Sequence, residues 1–223
     1  MEFIESRDGK EGIEAMAKEI SEALISGKKV LWLICGGSNI PLAKNAMDMI
    51  RTSAGLDLKN LTVGQTDERF GPVGHKDSNW QQMREVEFDF ASAGELLLIL
   101  KNKPLDETVR AYAQALKYAF ATHDFVTVQF GIGADGHVAG MLPHTGGLAA
   151  SELVFGYESA PFTRITITPP AFTKINSAHA FAFGEGKHEA IKNLQKKELP
   201  IDEEPCQLLK TIPKSYFYSD QVA

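Results

Sequence analysis

The segment KVLWLICGGSNIPLAKNAMDMIRTSA, residues 29–54, decides the fold because it joins a strand to a helix through a glycine turn. Residues 29–35 form a continuous apolar run, which is typical of a strand buried on both faces of a sheet. Gly36 and Gly37 end this run, and apolar side chains then recur at helical spacing over residues 40–54. The segment therefore predicts one strand–turn–helix unit.

The same alternation of strands and helices continues along the rest of the chain. Further helices are predicted at 11–26, 77–86, 105–121 and 186–197, and further strands at 60–66, 96–100, 125–133, 164–170, 178–184 and 214–218. Alternation of this kind predicts parallel βαβ units. We therefore expect one α/β domain over residues 1–223, a Rossmann-like three-layer fold with a mostly parallel sheet flanked by helices. Residues 198–213 have the least regular pattern and are predicted to form a surface loop.

The composition limits the classes of function that fit this chain. Of its 223 residues, 43% are hydrophobic and 23% are charged, as in an ordinary globular domain. The formal net charge of −6 argues against nucleic acid as the main partner, because phosphate backbones select basic surfaces. The N-terminus does not resemble a signal peptide and no apolar run has the length of a membrane span. We therefore expect a cytoplasmic protein without membrane contact.

The first candidate binding segment is the turn Gly36-Gly37-Ser38-Asn39, between the predicted strand and helix. Glycines let the backbone approach a ligand closely, and a helix N-terminus offers free N–H groups and partial positive charge. These four residues are therefore expected to bind an anionic group. The alternative is a simple turn in which Ser38 or Asn39 caps the helix.

A second cluster, Thr66-Asp67-Glu68-Arg69, lies at the end of the predicted strand 60–66. Two carboxylates and a guanidinium are costly to bury without purpose. Arg69 can hold an oxyanion or a phosphate through two parallel hydrogen bonds. Asp67 and Arg69 are therefore candidate catalytic residues, and Arg69 is also a candidate binding residue. The alternative is an ion pair in a surface loop.

The most specific cluster is GIGADGH at 131–137, which follows another predicted strand. His137 is the candidate general base, because imidazole titrates near neutral pH. Asp135 could orient the imidazole and hold its useful tautomer, and Gly136 is expected to lie against the ligand. The alternatives are an idle, solvent-facing histidine and a dinucleotide site. The late position of the glycine pattern, and the lack of an acidic residue that closes a predicted ribose-binding strand about 20 residues further on, argue against a dinucleotide.

Lys187 and Arg164 complete the set of candidate binding residues. Lys187 belongs to the segment GEGK at 184–187, between a predicted strand and a helix, where an anion would explain a cation so close to a helix start. Arg164 opens a predicted strand and is a weaker candidate for the same anion. A solvated surface lysine is the alternative. The remaining histidines have no metal-ligand spacing, so neither a metal nor a cofactor is expected.

Taken together, these clusters resemble the 6-phosphogluconolactonase family, within the wider group that includes glucosamine-6-phosphate deaminases. The matching segments are GGSNIP at 36–41, TDERFGP at 66–72, DSN at 77–79, GIGADGHVAGMLPHT at 131–145, RITITPP at 164–170 and GEGK at 184–187. The resemblance implies metal-independent hydrolysis of 6-phospho-D-glucono-1,5-lactone to 6-phospho-D-gluconate in the oxidative pentose phosphate pathway. It also implies proton transfer by His137, a role for Arg69, and phosphate binding by Ser38 and Lys187. The expected partner is a small phosphorylated sugar lactone, bound by a monomer or a small homo-oligomer.

One position separates the two activities of this wider group. The resemblance implies that deaminases carry a glutamate five residues after the histidine, where this chain has Leu142. The chain also departs from the family at Cys35, Asn39 and Gly140, which replace a serine, a threonine and a serine. A deaminase and a non-catalytic sugar-phosphate-binding protein therefore stay as alternatives to the lactonase. The retained His137 argues against the non-catalytic protein.

Overall fold

The computed structural model describes residues 1–53 and 55–222. The helices are α1 (Lys10–Ile25), α2 (Ile40–Thr52), α3 (Asn79–Glu85), α4 (Leu105–Thr122), α5 (Pro169–Phe172) and α6 (His188–Lys196). The strands are β1 (Glu2–Glu5), β2 (Val30–Ile34), β3 (Leu61–Gln65), β4 (Asp67–Arg69), β5 (Glu95–Leu96), β6 (Phe125–Gly131), β7 (Val154–Ser159), β8 (Phe162–Ile167), β9 (Ser177–Phe181) and β10 (Lys214–Ser219). Ala54, the last residue of the helix predicted at 40–54, and Ala223 lie outside the described residues.

A parallel sheet of seven strands forms the middle layer, in the order β1-β10-β9-β6-β2-β3-β5. All five residues of β2 are buried, as its apolar run predicts. Leu31 and Leu33 pack with α4, α5 and α6 on one face, whereas Val30, Trp32 and Ile34 pack with α1, α2 and α3 on the other. The predicted α/β fold with a mostly parallel sheet between helical layers is confirmed.

The strand order reverses between β2 and β6. From β2 the chain continues through α2 to β3 on one side, while β6 lies on the other side and is followed outward by β9 and β10. Ligands of open parallel sheets bind at such a reversal, beyond the carboxyl ends of the strands. The glycine turn after β2 and the loop after β6 therefore face the same crevice.

A second, antiparallel sheet has the order β4-β8-β7. The strand predicted at 164–170 lies here as β8, because a tight turn joins it to β7 and makes the pair a hairpin. The sequence patterns did not predict β1, β4 or β7, and the strand predicted at 96–100 is reduced to the two residues of β5. The predicted surface loop 198–213 is also wrong in part, since residues Pro205–Thr211 form a 3-10 helix that buries Cys206, Leu208 and Leu209.

Within residues 1–53 and 55–222, no helix combines the length and apolarity needed to cross a membrane.

Candidate active site

A cleft of about 220 Å³ lies at the reversal of strand order. It is lined by Cys35, Gly36, Gly37, Ser38, Asn39, Asp67, Arg69, Gly131, Ile132, Gly133, His137, Ala139, Arg164 and Lys187. The fold thus brings four separate sequence clusters to one place. Of the candidate site residues, only Asp135 and Gly136 are absent from the lining.

Asp135 lies behind His137 rather than in the cleft. Its Oδ1 is 2.6 Å from the Nδ1 atom of His137 and accepts a further hydrogen bond from the His137 backbone N–H, at 3.2 Å. The hydrogen bond with His137 lowers the pKa of the Asp135 carboxyl to about 2, against the opposing effect of burial. Asp135 is therefore a carboxylate at neutral pH and holds the proton on Nδ1, which leaves Nε2 as the basic atom. The carboxylate that contacts the imidazole is thus that of Asp135.

Gly133 and Gly136 of this loop are needed for different structural reasons. A side chain on Gly133 would place a Cβ 2.0 Å from Nδ1 of His137, so only glycine lets the imidazole lie over the backbone here. Gly136 has a φ of 78°, a left-handed conformation that favours glycine, and faces Glu204. Its carbonyl accepts a hydrogen bond of 2.8 Å from the Cys206 N–H. Gly136 therefore shapes the loop and fastens it to the 3-10 helix, and it does not line the cleft.

The opposite wall of the cleft carries two arginines from the antiparallel sheet. Arg69 of β4 and Arg164 of β8 are cross-strand partners, and their guanidinium groups lie 5.3 and 5.5 Å from the ring centre of Phe162. The guanidinium of Arg69 also donates a hydrogen bond to the Asp77 carbonyl, at 3.2 Å. The sequence analysis did not single out Phe162, although it lies two residues before Arg164 on β8 and so shares its face of the strand.

Lys187 adds a third cation to the cleft. Burial lowers its pKa from the ordinary value for lysine. No ion pair among the described residues involves Lys187, Arg69 or Arg164. Asp67 is the acidic residue in the lining, so the cleft carries an excess of positive charge although the whole chain carries −6. Such a surface is suited to a small anion.

Asp67 and Glu68 are adjacent in sequence but have different surroundings. Glu68 is 1% exposed and accepts hydrogen bonds from five donors, namely the backbone N–H groups of Arg69, Asn79 and Trp80 and the side chains of Gln65 and Ser78. It therefore ties β4 to the start of α3, a structural role that the sequence motif did not reveal. Asp67 lines the cleft, and its carboxylate accepts a hydrogen bond of 2.7 Å from Thr66.

Gly140 allows the His137 loop to pack closely against the antiparallel sheet. A Cβ at this position would lie 2.9 Å from the Cβ of Thr166 and 3.1 Å from that of Asp67. The Gly140 N–H donates to the Thr166 hydroxyl, and the Tyr157 hydroxyl donates to the Gly140 carbonyl at 2.6 Å. A side chain at this position would therefore clash with the antiparallel sheet unless the loop shifted. Neither Thr166 nor Tyr157 carries a sequence signal for this role.

The two cysteines are buried and unpaired. Burial, with a smaller effect from the nearby Asp67 carboxylate, raises the pKa of the Cys35 thiol to about 12. Cys35 is therefore a neutral thiol at physiological pH although it lies in the cleft wall. No group of three or more histidine, cysteine, aspartate or glutamate side chains in the described part of the chain is arranged to hold a metal ion.

Comparisons with known proteins agree with this architecture. The model of the family described as glucosamine-6-phosphate isomerases/6-phosphogluconolactonase matches residues 9–216. A glucosamine-6-phosphate deaminase from Lactobacillus johnsonii is 26% identical over an alignment of 240 residues, which covers 100% of this chain and 96% of the relative. A 6-phosphogluconolactonase from Borreliella burgdorferi is 26% identical over 158 residues, or 66% of each protein.

A solved structure shows the same fold along nearly the whole chain. The crystal structure of a 6-phosphogluconolactonase from Shewanella baltica matches with a TM-score of 0.79 at 19% identity, covering 98% of this chain and 97% of the other. Together with the match to the family model, this establishes that the chain belongs to the glucosamine-6-phosphate isomerase/6-phosphogluconolactonase family.

Proposed function

We propose that this protein is a 6-phosphogluconolactonase that hydrolyses 6-phospho-D-glucono-1,5-lactone to 6-phospho-D-gluconate, with His137 as the general base. One observation carries the proposal: the Asp135–His137 pair lies at a cleft that also holds three cations without carboxylate partners among the described residues. The reaction needs a group that transfers a proton at neutral pH and a cationic site for a phosphate. Within the proposal, the protein acts in the cytoplasm, in the oxidative pentose phosphate pathway, and needs neither metal nor cofactor.

In the proposed reaction, neutral His137 removes a proton from water through Nε2 while the water oxygen attacks the carbonyl carbon of the lactone. Asp135 holds the proton on Nδ1 and stabilises the imidazolium that forms. Arg69 stabilises the negative charge on the carbonyl oxygen of the tetrahedral intermediate. The bond between this carbon and the ring oxygen then breaks, and the imidazolium returns its proton to the ring oxygen. One water molecule is consumed, and the carboxylic acid product ionises.

The phosphate is held, in this proposal, by the cations and the glycine turn. Lys187 and Arg164 form charge-assisted hydrogen bonds with it, while Ser38 and the backbone N–H groups of Gly36 and Gly37 complete its surroundings. The burial that lowers the pKa of Lys187 is compensated when an anion binds beside it. When the phosphate is fixed, the lactone carbonyl is held against His137. This orientation of the reacting groups raises the rate.

A glucosamine-6-phosphate deaminase is the second candidate, because a relative of that name aligns along the whole chain. Its chemistry, by family resemblance, uses a glutamate where this chain has Leu142. Leu142 is half-buried, and its backbone N–H donates a hydrogen bond to the Tyr157 hydroxyl. The position therefore supplies no carboxylate for ring opening, although Asp67 could act as a base. This favours the lactonase over the deaminase.

The test is the rate of 6-phosphogluconate formation from freshly prepared 6-phosphogluconolactone, with spontaneous hydrolysis subtracted. We expect an enzyme-dependent rate that falls about 10²–10⁴-fold in His137→Ala, the usual contribution of general acid–base catalysis. The matched control is His144→Ala, because His144 also contacts an aspartate through Nδ1 but is exposed and away from the cleft. This control should leave the rate unchanged.

Three outcomes would contradict the lactonase. A folded protein that does not exceed the spontaneous rate would exclude it as an activity of this chain. Ammonia release from glucosamine 6-phosphate, lost in His137→Ala, would establish the deaminase instead. Binding of 6-phosphogluconate without turnover of either substrate would point to the non-catalytic sugar-phosphate-binding protein.

A further inference from the structure

Asn39 occupies the centre of the sheet edge from which the cleft is built. Its side chain is buried, and its Nδ2 donates hydrogen bonds to the Phe130 carbonyl at 3.2 Å and to the Phe181 carbonyl at 3.0 Å. Phe130 lies at the end of β6 and Phe181 is the last residue of β9. Both hydrogens of the amide are thus used to join two neighbouring strands where their own ladder ends.

Asn39 has two further contacts, one with the residue after β2 and one through its own backbone carbonyl. Its Nδ2 lies 3.8 Å from Sγ of Cys35, the residue that follows β2, and its backbone carbonyl accepts a hydrogen bond of 2.9 Å from Gln129. Cys35 and Asn39 are two of the positions at which the chain departs from the family it resembles. Because these two side chains contact each other, the two departures form one structural change.

Each of the three strands tied to Asn39 leads directly into a segment of the cleft. The glycine turn follows β2, the His137 loop follows β6, and the segment that ends in Lys187 follows β9. Gly131 leaves room for the amide, since a Cβ there would lie 2.5 Å from Nδ2. One carboxamide therefore contacts the ends of both strands from which the His137 loop and the Lys187 segment start, where the ladder between β6 and β9 stops.

We propose that Asn39 is a positioning residue that sets the distance between the His137 loop and the Lys187 segment, and hence the placement of a phosphorylated substrate against His137. The proposal rests on the lactonase function for its kinetic consequence, but the positioning itself is independent of it. A threonine hydroxyl carries one hydrogen and can donate to one of the two carbonyls only. The threonine that the resemblance implies at this position could therefore not make the same bridge between the two strands.

The experiment compares Asn39→Ala and Asn39→Thr with the control Asn176→Ala. Asn176 directly precedes β9 and accepts a hydrogen bond of 2.7 Å from the Val126 N–H of β6. It therefore also links these two strands, but at their opposite ends. At a temperature where all variants are folded, we expect Asn39→Ala to lower kcat by about tenfold, the equivalent of about 1.4 kcal/mol. Asn39→Thr should be intermediate, and Asn176→Ala should keep the wild-type kcat and KM.

Two further measurements separate positioning from a loss of folding. Affinity for inorganic phosphate, which in the proposal contacts the cations and the glycine turn but not His137, should fall by a smaller factor than kcat in Asn39→Ala. In Asn39→Ala, the backbone amides of residues 131–137 and 182–187 should exchange hydrogen faster than in the wild type. In Asn176→Ala, the exchange of these amides should be unchanged. Unchanged exchange in both segments would overturn the positioning role whether or not the protein is a lactonase. Accelerated exchange in a protein without lactonase activity would leave the positioning role standing and refute the proposed function.

Discussion

The two walls of the cleft are built in different ways. One, the loop wall, consists of the glycine turn 36–39 and the loop 131–137, which directly follow two adjacent strands of the parallel sheet. The other, the arginine wall, consists of β4 and β8 and carries Arg69 and Arg164. The loop wall depends on short motifs and on the strand order. The arginine wall exists only because two distant strands pair in register.

The two walls also differ in charge and contacts. The loop wall holds the one histidine of the lining, with its tautomer fixed by Asp135. The arginine wall holds guanidinium groups that rest on Phe162 and lack carboxylate partners in the described part of the chain. The expected division is that the His137 loop of the loop wall transfers protons, whereas Arg164 of the arginine wall binds the anion and Arg69 stabilises the charge that develops in the chemical step. Substitutions in the His137 loop should then change kcat, and substitution of Arg164 should change KM.

The largest expected effect comes from the contact that orients the imidazole. Asp135→Asn should lower kcat about 10²–10⁴-fold with little change in KM, because an amide can donate to Nδ1 and favour the wrong tautomer. The matched control is Asp202→Asn, which alters the exposed contact with His144, 2.9 Å long, outside the cleft. Steady-state kinetics of both variants would test this. If Asp135→Asn raises KM and leaves kcat unchanged, Asp135 acts in substrate binding. The two walls would then not differ in function as expected.

A smaller effect is expected on the arginine wall. Arg164→Gln should raise KM about 10- to 100-fold with kcat nearly unchanged, since a charge-assisted hydrogen bond contributes about 1.5–3 kcal/mol. The control is Arg110→Gln, an exposed arginine on α4. Titration with inorganic phosphate should show the same loss of affinity as the rise in KM. A loss of kcat at saturating substrate would instead place Arg164 in the chemical step.

The sequence predicted the loop wall much better than the arginine wall. The apolar run of β2 and the glycines after β2 and β6 identify strand ends, and parallel strands bring their carboxyl ends to one edge. By that reasoning, the segments that carry Ser38 and His137 belong at the same edge of the sheet, where the structure has them. The same pattern also predicted the order of layers, since burial on both faces of β2 requires helices on either side.

The arginine wall could not be predicted in the same way, because β4 is three residues long and β7 has no distinctive alternation. Arg69 and Arg164 were each identified, yet only the pairing of β4 with β8 makes them neighbours. Glu68 shows the same limit. Its five hydrogen bonds come mostly from residues 78–80, so its structural role depends on how α3 packs and not on the motif around it.

The smallest expected effect concerns the contribution of the loop wall to stability. The pKa of Asp135 is lowered to about 2 in the folded protein, against about 3.9 for an unperturbed aspartate. The folded state thus binds fewer protons than the unfolded state between these values. The stabilisation is complete above about pH 4 and is lost as the pH falls through about 2. Because the Asp135 side chain is 49% exposed, solvent screening should reduce the contribution below about 1 kcal/mol.

Urea unfolding of wild type and Asp135→Asn between pH 5 and pH 2.5 would measure this contribution. The difference in unfolding free energy should stay constant down to about pH 4 and then shrink, because protonated Asp135 no longer attracts His137. Asp202→Asn again serves as the control, since it alters an exposed aspartate–histidine contact outside the cleft. A difference that grows with acidity would mean that the folded protein favours the protonated carboxyl of Asp135, so that its pKa is raised and not lowered. The orientation of the imidazole would then have to come from the backbone of the loop, where Gly133 lies beneath the ring.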